Sequence, residues 1–217
     1  EGGLPFYPFL KSFEADFAGS LEKMQQVFAG LLPKLFNRHG LIVSVTLKQE
    51  EYPAFEEAFG ALQQSFSQEV FPTASLDWEI KPENEGLTSS SRVQYVGKGA
   101  NFLRLGYRYT GSMAVLETLL RYDYFWTKIR VQGGAYGAFT GFNRNGFMYF
   151  GSYRDPNLCE TLDVFDGTAD YAAHFTASER EMDKFIIGTM SGVDTPLTPM
   201  MKGDAAATCY LRGITEA

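Results

Sequence analysis

The sequence predicts an α+β fold, a mixed and largely antiparallel sheet with helices packed on one face. Three observations carry this. Apolar residues recur at spacings of three and four along 17–31, 55–66 and 113–124, the period of an amphipathic helix. Short runs rich in β-branched and aromatic residues, LIVSVTL over 41–47 and AYGAFTGF with GFMYFGSY over 135–153, have the length of strands. Asn145 and Gly146 stand between the last two runs, a pair suited to closing a hairpin. At 217 residues and 45% hydrophobic content the chain can bury a full core, so residues 1–217 read as a single domain with 1–12 as a linker.

In chain order, EGGLPFYPFL lacks a basic stretch followed by an apolar core, so it is not a secretory signal. Phe17, Leu21, Met24, Phe28 and Leu31 make a helical stripe that Pro33 and then Gly40 end. Leu41 to Leu47 reads as a strand. Phe55, Phe59, Leu62 and Phe66 form a second stripe, closed by 65–68, and KPENEGLTSSS from Lys81 is a polar loop. Val93 to Val96 and Phe102 to Tyr109 are further strand candidates, which with the hairpin make a sheet of about five strands. Between them and the hairpin, 106–130 reads as a buried helix. Met113, Leu116, Leu120 and Tyr124 share one face, and Val115, Leu119, Tyr122 and Trp126 the next. Lys128 and Arg130 stand at its end, where the helix dipole favours cations. Asp155 before Pro156 predicts a helix start, Ser178 with Glu181 a capping box, and Thr195 with Pro196 another start. The closing YLRGITEA has no terminating element and reads as an artificial boundary.

Composition excludes several functions. A net charge of −7 with no clustered Lys and Arg argues against nucleic acid. No run approaches the roughly 18 apolar residues of a membrane span. His39 and His174 are far apart with no histidine four residues away, and Cys159 and Cys209 lack a paired spacing, so the chain is expected to bind no metal.

The stretch IRVQGGAYG, 129–137, carries the chemistry. Arg130 presents a fixed fork of donors to a carbonyl or carboxylate, and Tyr136 a single hydroxyl able to stabilise a developing oxyanion. Gly133, Gly134 and Gly137 are expected to shape the loop and permit close packing. They do not form a phosphate cradle, because the helix precedes the glycines and no Lys-Ser or Lys-Thr follows. The structural alternatives are a helix C-terminal cation for Arg130 and a core tyrosine for Tyr136. Arg154, where the hairpin meets the next helix start, is expected as a second cation near the same place.

The order apolar helix, IRVQGGAYGAF, hairpin, SYRDPN, helix resembles the C-terminal half of the pitrilysin/insulinase-type zinc metalloendopeptidases, most of all their presequence-protease branch. The resemblance is strongest over 107–156. It implies that Arg130 binds substrate, and that Tyr136 binds substrate and acts catalytically. Both would reach a peptide held at a zinc site in the other half of a closed chamber. The family's His-x-x-Glu-His motif is missing from this chain, which is therefore expected to be inactive alone, with zinc and the N-terminal half of the same protein supplied from outside it. Peptides are the implied substrates, and a bacterial cytoplasm or an organelle matrix the implied setting. The alternative within the same fold is a catalytically silent subunit of a respiratory or processing complex.

Overall fold

The computed structural model describes residues 5–73, 75 and 84–214. Helices α1 (Phe6–Ala15), α2 (Phe17–Leu35) and α3 (Tyr52–Gln63) come first. Strand β1 (Gln94–Asn101), helix α4 (Gly111–Leu119) and strands β2 (Gly137–Phe142) and β3 (Phe147–Asp155) follow. Helices α5 (Cys159–Asp166), α6 (Thr168–His174), α7 (Glu179–Val193) and α8 (Pro199–Arg212) complete the chain. Contacts group these into two compact units, Glu1–Pro82 with Leu197–Ala217, and Glu83–Pro196.

The first unit is helical. Its opening residues were read as linker, yet helix α1 begins at Phe6. Asp16 caps α2 by accepting from the Gly19 N–H at 3.1 Å, and α2 runs two residues past Pro33. Leu41 to Leu47 was expected as a strand and carries no regular structure; Ile42, Val43 and Val45 are exposed. An alternating apolar pattern favours an extended backbone, but a ladder also needs a neighbour, and among the described residues no segment pairs with it. The start foreseen at Thr195 lies three residues later. Thr198 caps α8 by accepting from the Met201 N–H at 3.3 Å, with Pro199 in the first turn. Thr195 instead donates back to the Ser191 carbonyl at 3.2 Å, at the end of α7. Helix α8 does have a terminating element, Gly213 in the left-handed conformation at φ +62°.

The second unit holds the sheet, three antiparallel strands in the order β1-β3-β2, with helices packed against one face. The fold class is therefore α+β, and the described residues contribute three strands to the sheet where about five were expected. The 102–109 segment is not a strand. Asn101 accepts from the Leu103 and Arg104 N–H groups at 3.1 and 3.3 Å and folds Phe102–Leu105 into a 3-10 turn that Gly106 closes at φ +84°. The hairpin matches expectation, with Asn143 to Gly146 as its turn and the Gly146 N–H bonded to the Asn143 carbonyl at 2.9 Å. Residues 84–91 carry neither helix nor strand, as their polar composition foretold, while 81–83 lie outside the described residues.

The long helix after Thr110 departs from its expected geometry in an informative way. Beyond Leu119 it continues as π-helical turns, Leu120–Tyr124 and Trp126–Gln132. Its core residues are Leu119, Leu120, Phe125 and Ile129, so the step from Leu120 to Phe125 is five residues, not four. Phe125 thereby replaces Tyr124 as the central core ring and meets Phe150 and Phe165 edge-on at 5.2 and 5.5 Å. Tyr122 and Trp126, expected to cover an apolar face, are exposed. Val96 from β1 and Ala135 complete this cluster.

Around the core, Tyr124 stacks on Tyr171 at 4.3 Å, and the Tyr171 hydroxyl donates to Asp123. Burial, then that carboxylate, hold the Tyr171 phenol well above its usual range, so it remains a donor. The capping box of α7 forms as foreseen, with Ser178 Oγ accepting from the Glu181 N–H and Glu181 accepting from the Ser178 N–H. Those bonds from Ser178 hold the Glu181 carboxyl below its usual range, so the cap is intact at neutral pH and weakens as pH falls through the carboxylate range.

Candidate functional site

The π-helical end, the turn after it and the two ends of the hairpin converge on one open cleft of about 540 Å³. Its lining includes Trp126, Arg130, Gly134, Tyr136 and Arg154. Arg130 and Tyr136, paired on sequence grounds, are thus brought together, and Arg154 joins them.

Each side chain is held by its own element. Trp126 and Arg130 are four residues apart on the helix, and the Arg130 guanidinium lies over the indole at 3.9 Å from the ring centroid. Arg130 is half-buried, its cation rests on an aromatic face, and the residue lines the cleft. The helix then ends on glycine. The Gly134 N–H bonds to the Arg130 carbonyl at 3.0 Å and the Ala135 N–H to the Ile129 carbonyl at 3.1 Å. Each bond reaches one residue further back than in an ordinary Schellman ending, as a π-widened turn dictates. Gly134 has φ +80°, and a Cβ on Gly133 would lie 2.6 Å from the Ile129 carbonyl oxygen. Gly137 differs from these two, since it lies within β2 with open space around its Cα, so the sharp turn belongs to Gly133 and Gly134. Gly134→Ala is expected to cost about 1–2 kcal/mol of stability, because an L-residue is forced into the left-handed region. A thermal melt of the full-length protein checks this.

Tyr136 stands one residue before β2, its N–H donating to the Tyr153 carbonyl at 3.1 Å. Its ring meets Tyr153 edge-on at 5.5 Å, and the Arg154 guanidinium sits 6.0 Å from its centroid. Tyr136 is 67% exposed, which removes the reading of a core tyrosine. Its phenol faces solvent and is available to a ligand.

Behind the cleft a buried polar clamp sets the geometry. Asp155, wholly buried at the end of β3, accepts from the Thr161 hydroxyl at 2.7 Å and from the Asn157 N–H at 2.9 Å. Asn157 in turn donates its side-chain amide to the Gly133 carbonyl at 2.6 Å. Asp155 was read as a helix start, but α5 begins only at Cys159, because the carboxyl folds the chain into a turn of its own first. Nothing in the sequence beyond the Asp-Pro-Asn string marks this clamp.

Among the described residues the histidine and cysteine side chains stand apart from one another. His39 Nε2 lies 3.0 Å from the Gln68 carbonyl, His174 Nδ1 lies 2.8 Å from the Asp170 carbonyl, and Cys159 and Cys209 are separate free thiols. Among the described residues no three His, Cys, Asp or Glu side chains cluster as ligands.

Residues 84–217, which include the whole cleft, match the family model described as the PreP C-terminal domain. The chain belongs to the PreP C-terminal domain family. It is 38% identical over 98% of its length to Protein HypA of Clostridium perfringens, covering 22% of that protein. It is 31% identical over 99% of its length to Presequence protease 1, chloroplastic/mitochondrial, of Arabidopsis thaliana, covering 20% of that protein. The mitochondrial presequence protease of Mus musculus is 32% identical over 51% of the chain. A PreP C-terminal domain of this size spans about a fifth of the curated relatives it matches end to end. The first of these relatives comes from a bacterium and the second is named as chloroplastic/mitochondrial; among the described residues no helix is long and apolar enough to cross a membrane.

Proposed function

We propose that this chain is the substrate-orienting part of a zinc metalloendopeptidase that encloses and degrades peptides. Arg130 binds a backbone carbonyl of the substrate, and Tyr136 stabilises the oxyanion of the tetrahedral intermediate. The observation that carries this is the convergence of both side chains on one open cleft, with the phenol exposed and the guanidinium braced on Trp126. A donor already fixed in direction loses little entropy on meeting substrate. Relatives named presequence proteases and the family match over the cleft support the same reading. The metal and the groups that hold it belong to a part of the whole protein outside this chain. That part, the N-terminal half, and peptides are the partners proposed, in a bacterial cytoplasm or an organelle matrix.

Peptide turnover tests it. In the full-length protein Arg130→Ala is expected to lower kcat/KM by about 10–100-fold, the worth of a hydrogen bond from a charged donor. Arg130→Lys recovers only part of the loss, because the ammonium lacks the planar fork. The isolated chain with added zinc is expected to cleave nothing. Zinc-dependent cleavage by the pure chain would refute this division of labour, and unchanged turnover in Arg130→Ala would refute the role of the arginine.

A further inference from the structure

Strand β3 carries one residue too many. Gln94 of β1 faces Asp155 while Val96 faces Ser152, so two steps along β1 span three along β3. The surplus is a β-bulge at Tyr153 and Arg154, and Arg154 has φ +48°. Among the described residues no other non-glycine residue has a positive φ. Glycine adopts this conformation freely, whereas a long side chain is strained in it.

The bulge decides where the guanidinium goes. Ser152 is wholly buried under the helix layer, and strict alternation would send the residue two positions on, Arg154, to that same apolar side. The extra residue shifts the alternation, so Asp155 takes the buried place and Arg154 is turned outward, into the lining of the Arg130 and Tyr136 cleft. Its guanidinium lies 6.0 Å from the centre of the Tyr136 ring. Among the described residues the cleft lining thus includes two arginines and no acidic residue. The chain as a whole carries a net charge of −7, but charges farther away than about 8 Å are largely screened, so the local positive sign governs contact.

We propose that Arg154 is a specificity-determining residue that binds a carboxylate of the peptide, either an acidic side chain near the scissile bond or the free C-terminus. This rests on the peptidase reading for the identity of the ligand. The chemistry follows from the residue type: Arg130 is braced on Trp126 and assigned to a neutral carbonyl, whereas Arg154 presents an exposed fork whose geometry matches a carboxylate in bidentate fashion.

The test uses the full-length protein and labelled peptides made resistant to hydrolysis by N-methylation of their amides. The peptides form a square, Glu or Gln beside the central bond and free acid or amide at the C-terminus. Binding is read by fluorescence anisotropy, so no turnover is needed. The wild type is expected to bind one carboxylate-bearing member about tenfold more tightly than its neutral partner, and Arg154→Gly to abolish that preference. Whether the preference follows Glu or the C-terminus identifies the source. Arg154→Gly relieves the backbone strain, so its melting temperature is expected to hold or rise, and Arg154→Asn, which also tolerates this conformation, is the second variant. A preference that persists in both variants, equal weakening of all four peptides, or no preference in the wild type would each overturn the proposal. Failure of the peptidase reading shows differently, as unmodified peptides that bind with the same preference and are not cut.

Discussion

Tyr136→Phe in the full-length protein is expected to lower kcat for peptide hydrolysis by about 10²–10³-fold while KM changes little. The substitution removes one oxygen and leaves the ring. That ring is held at its edge by Tyr153 at 5.5 Å and flanked by the Arg154 guanidinium at 6.0 Å, contacts that phenylalanine keeps. The backbone N–H bond to the Tyr153 carbonyl is likewise untouched. With Tyr136 67% exposed, no buried partner loses its hydrogen bond, so folding stability is expected to move by less than about 0.5 kcal/mol. A rate effect with no stability effect is the mark of a group that acts on the reacting carbonyl. The measurement is kcat and KM on one fluorogenic peptide beside a thermal melt. A loss confined to KM would make Tyr136 a binding residue only, and no loss at all would remove it from the chemistry.

On the roles proposed for them, the contrast between Tyr136 and Arg130 follows from when each group engages the substrate. A guanidinium on a substrate carbonyl is engaged before and during reaction, so its loss falls largely on KM. A phenol aimed at a developing oxyanion gains most in the transition state. Single and double variants therefore separate the two roles, because independent contributions add as free energies and a shared contact does not.

Much of this site was visible in the sequence because its parts lie close along the chain. Arg130, the glycine pair and Tyr136 fall within seven consecutive residues, and glycine after an apolar helix marks a helix end whatever surrounds it. The hairpin was equally plain from Asn145 and Gly146 between two aromatic runs. Two features escaped. The π-helical turns move Phe125 inward and Trp126 outward, and a regular period near 3.6 does not register one inserted residue. The bulge at Arg154 depends on how β3 pairs with β1, more than fifty residues away in sequence, so no local pattern reports it. Leu41 to Leu47 shows the converse limit: the residue types favour an extended chain, but pairing is a property of two segments, and here the pattern alone overreached.

Asp155→Ala is expected to destabilise the protein by about 3 kcal/mol and to lower peptide turnover with it. The carboxyl is wholly buried and serves two donors, the Thr161 hydroxyl at 2.7 Å and the Asn157 N–H at 2.9 Å. Alanine leaves both without an acceptor, and Thr161, only 3% exposed, has little access to water in its place. The consequence for the site runs through Asn157. Its side-chain amide holds the Gly133 carbonyl at 2.6 Å, which pins the turn carrying the chain from Arg130 to Tyr136. Asp155 also directly follows Arg154 and occupies the buried place that lets the bulge turn that arginine outward. Releasing it therefore loosens three cleft residues together. Asp155→Asn keeps one acceptor oxygen and is expected to lose distinctly less stability than the alanine variant. Urea denaturation of the full-length protein measures the first effect, and kcat/KM at a temperature where the variant remains folded measures the second. If stability falls while kcat/KM of the folded variant is unchanged, the clamp supports the fold alone and the cleft geometry is held by the helix end and the β2–β3 ladder.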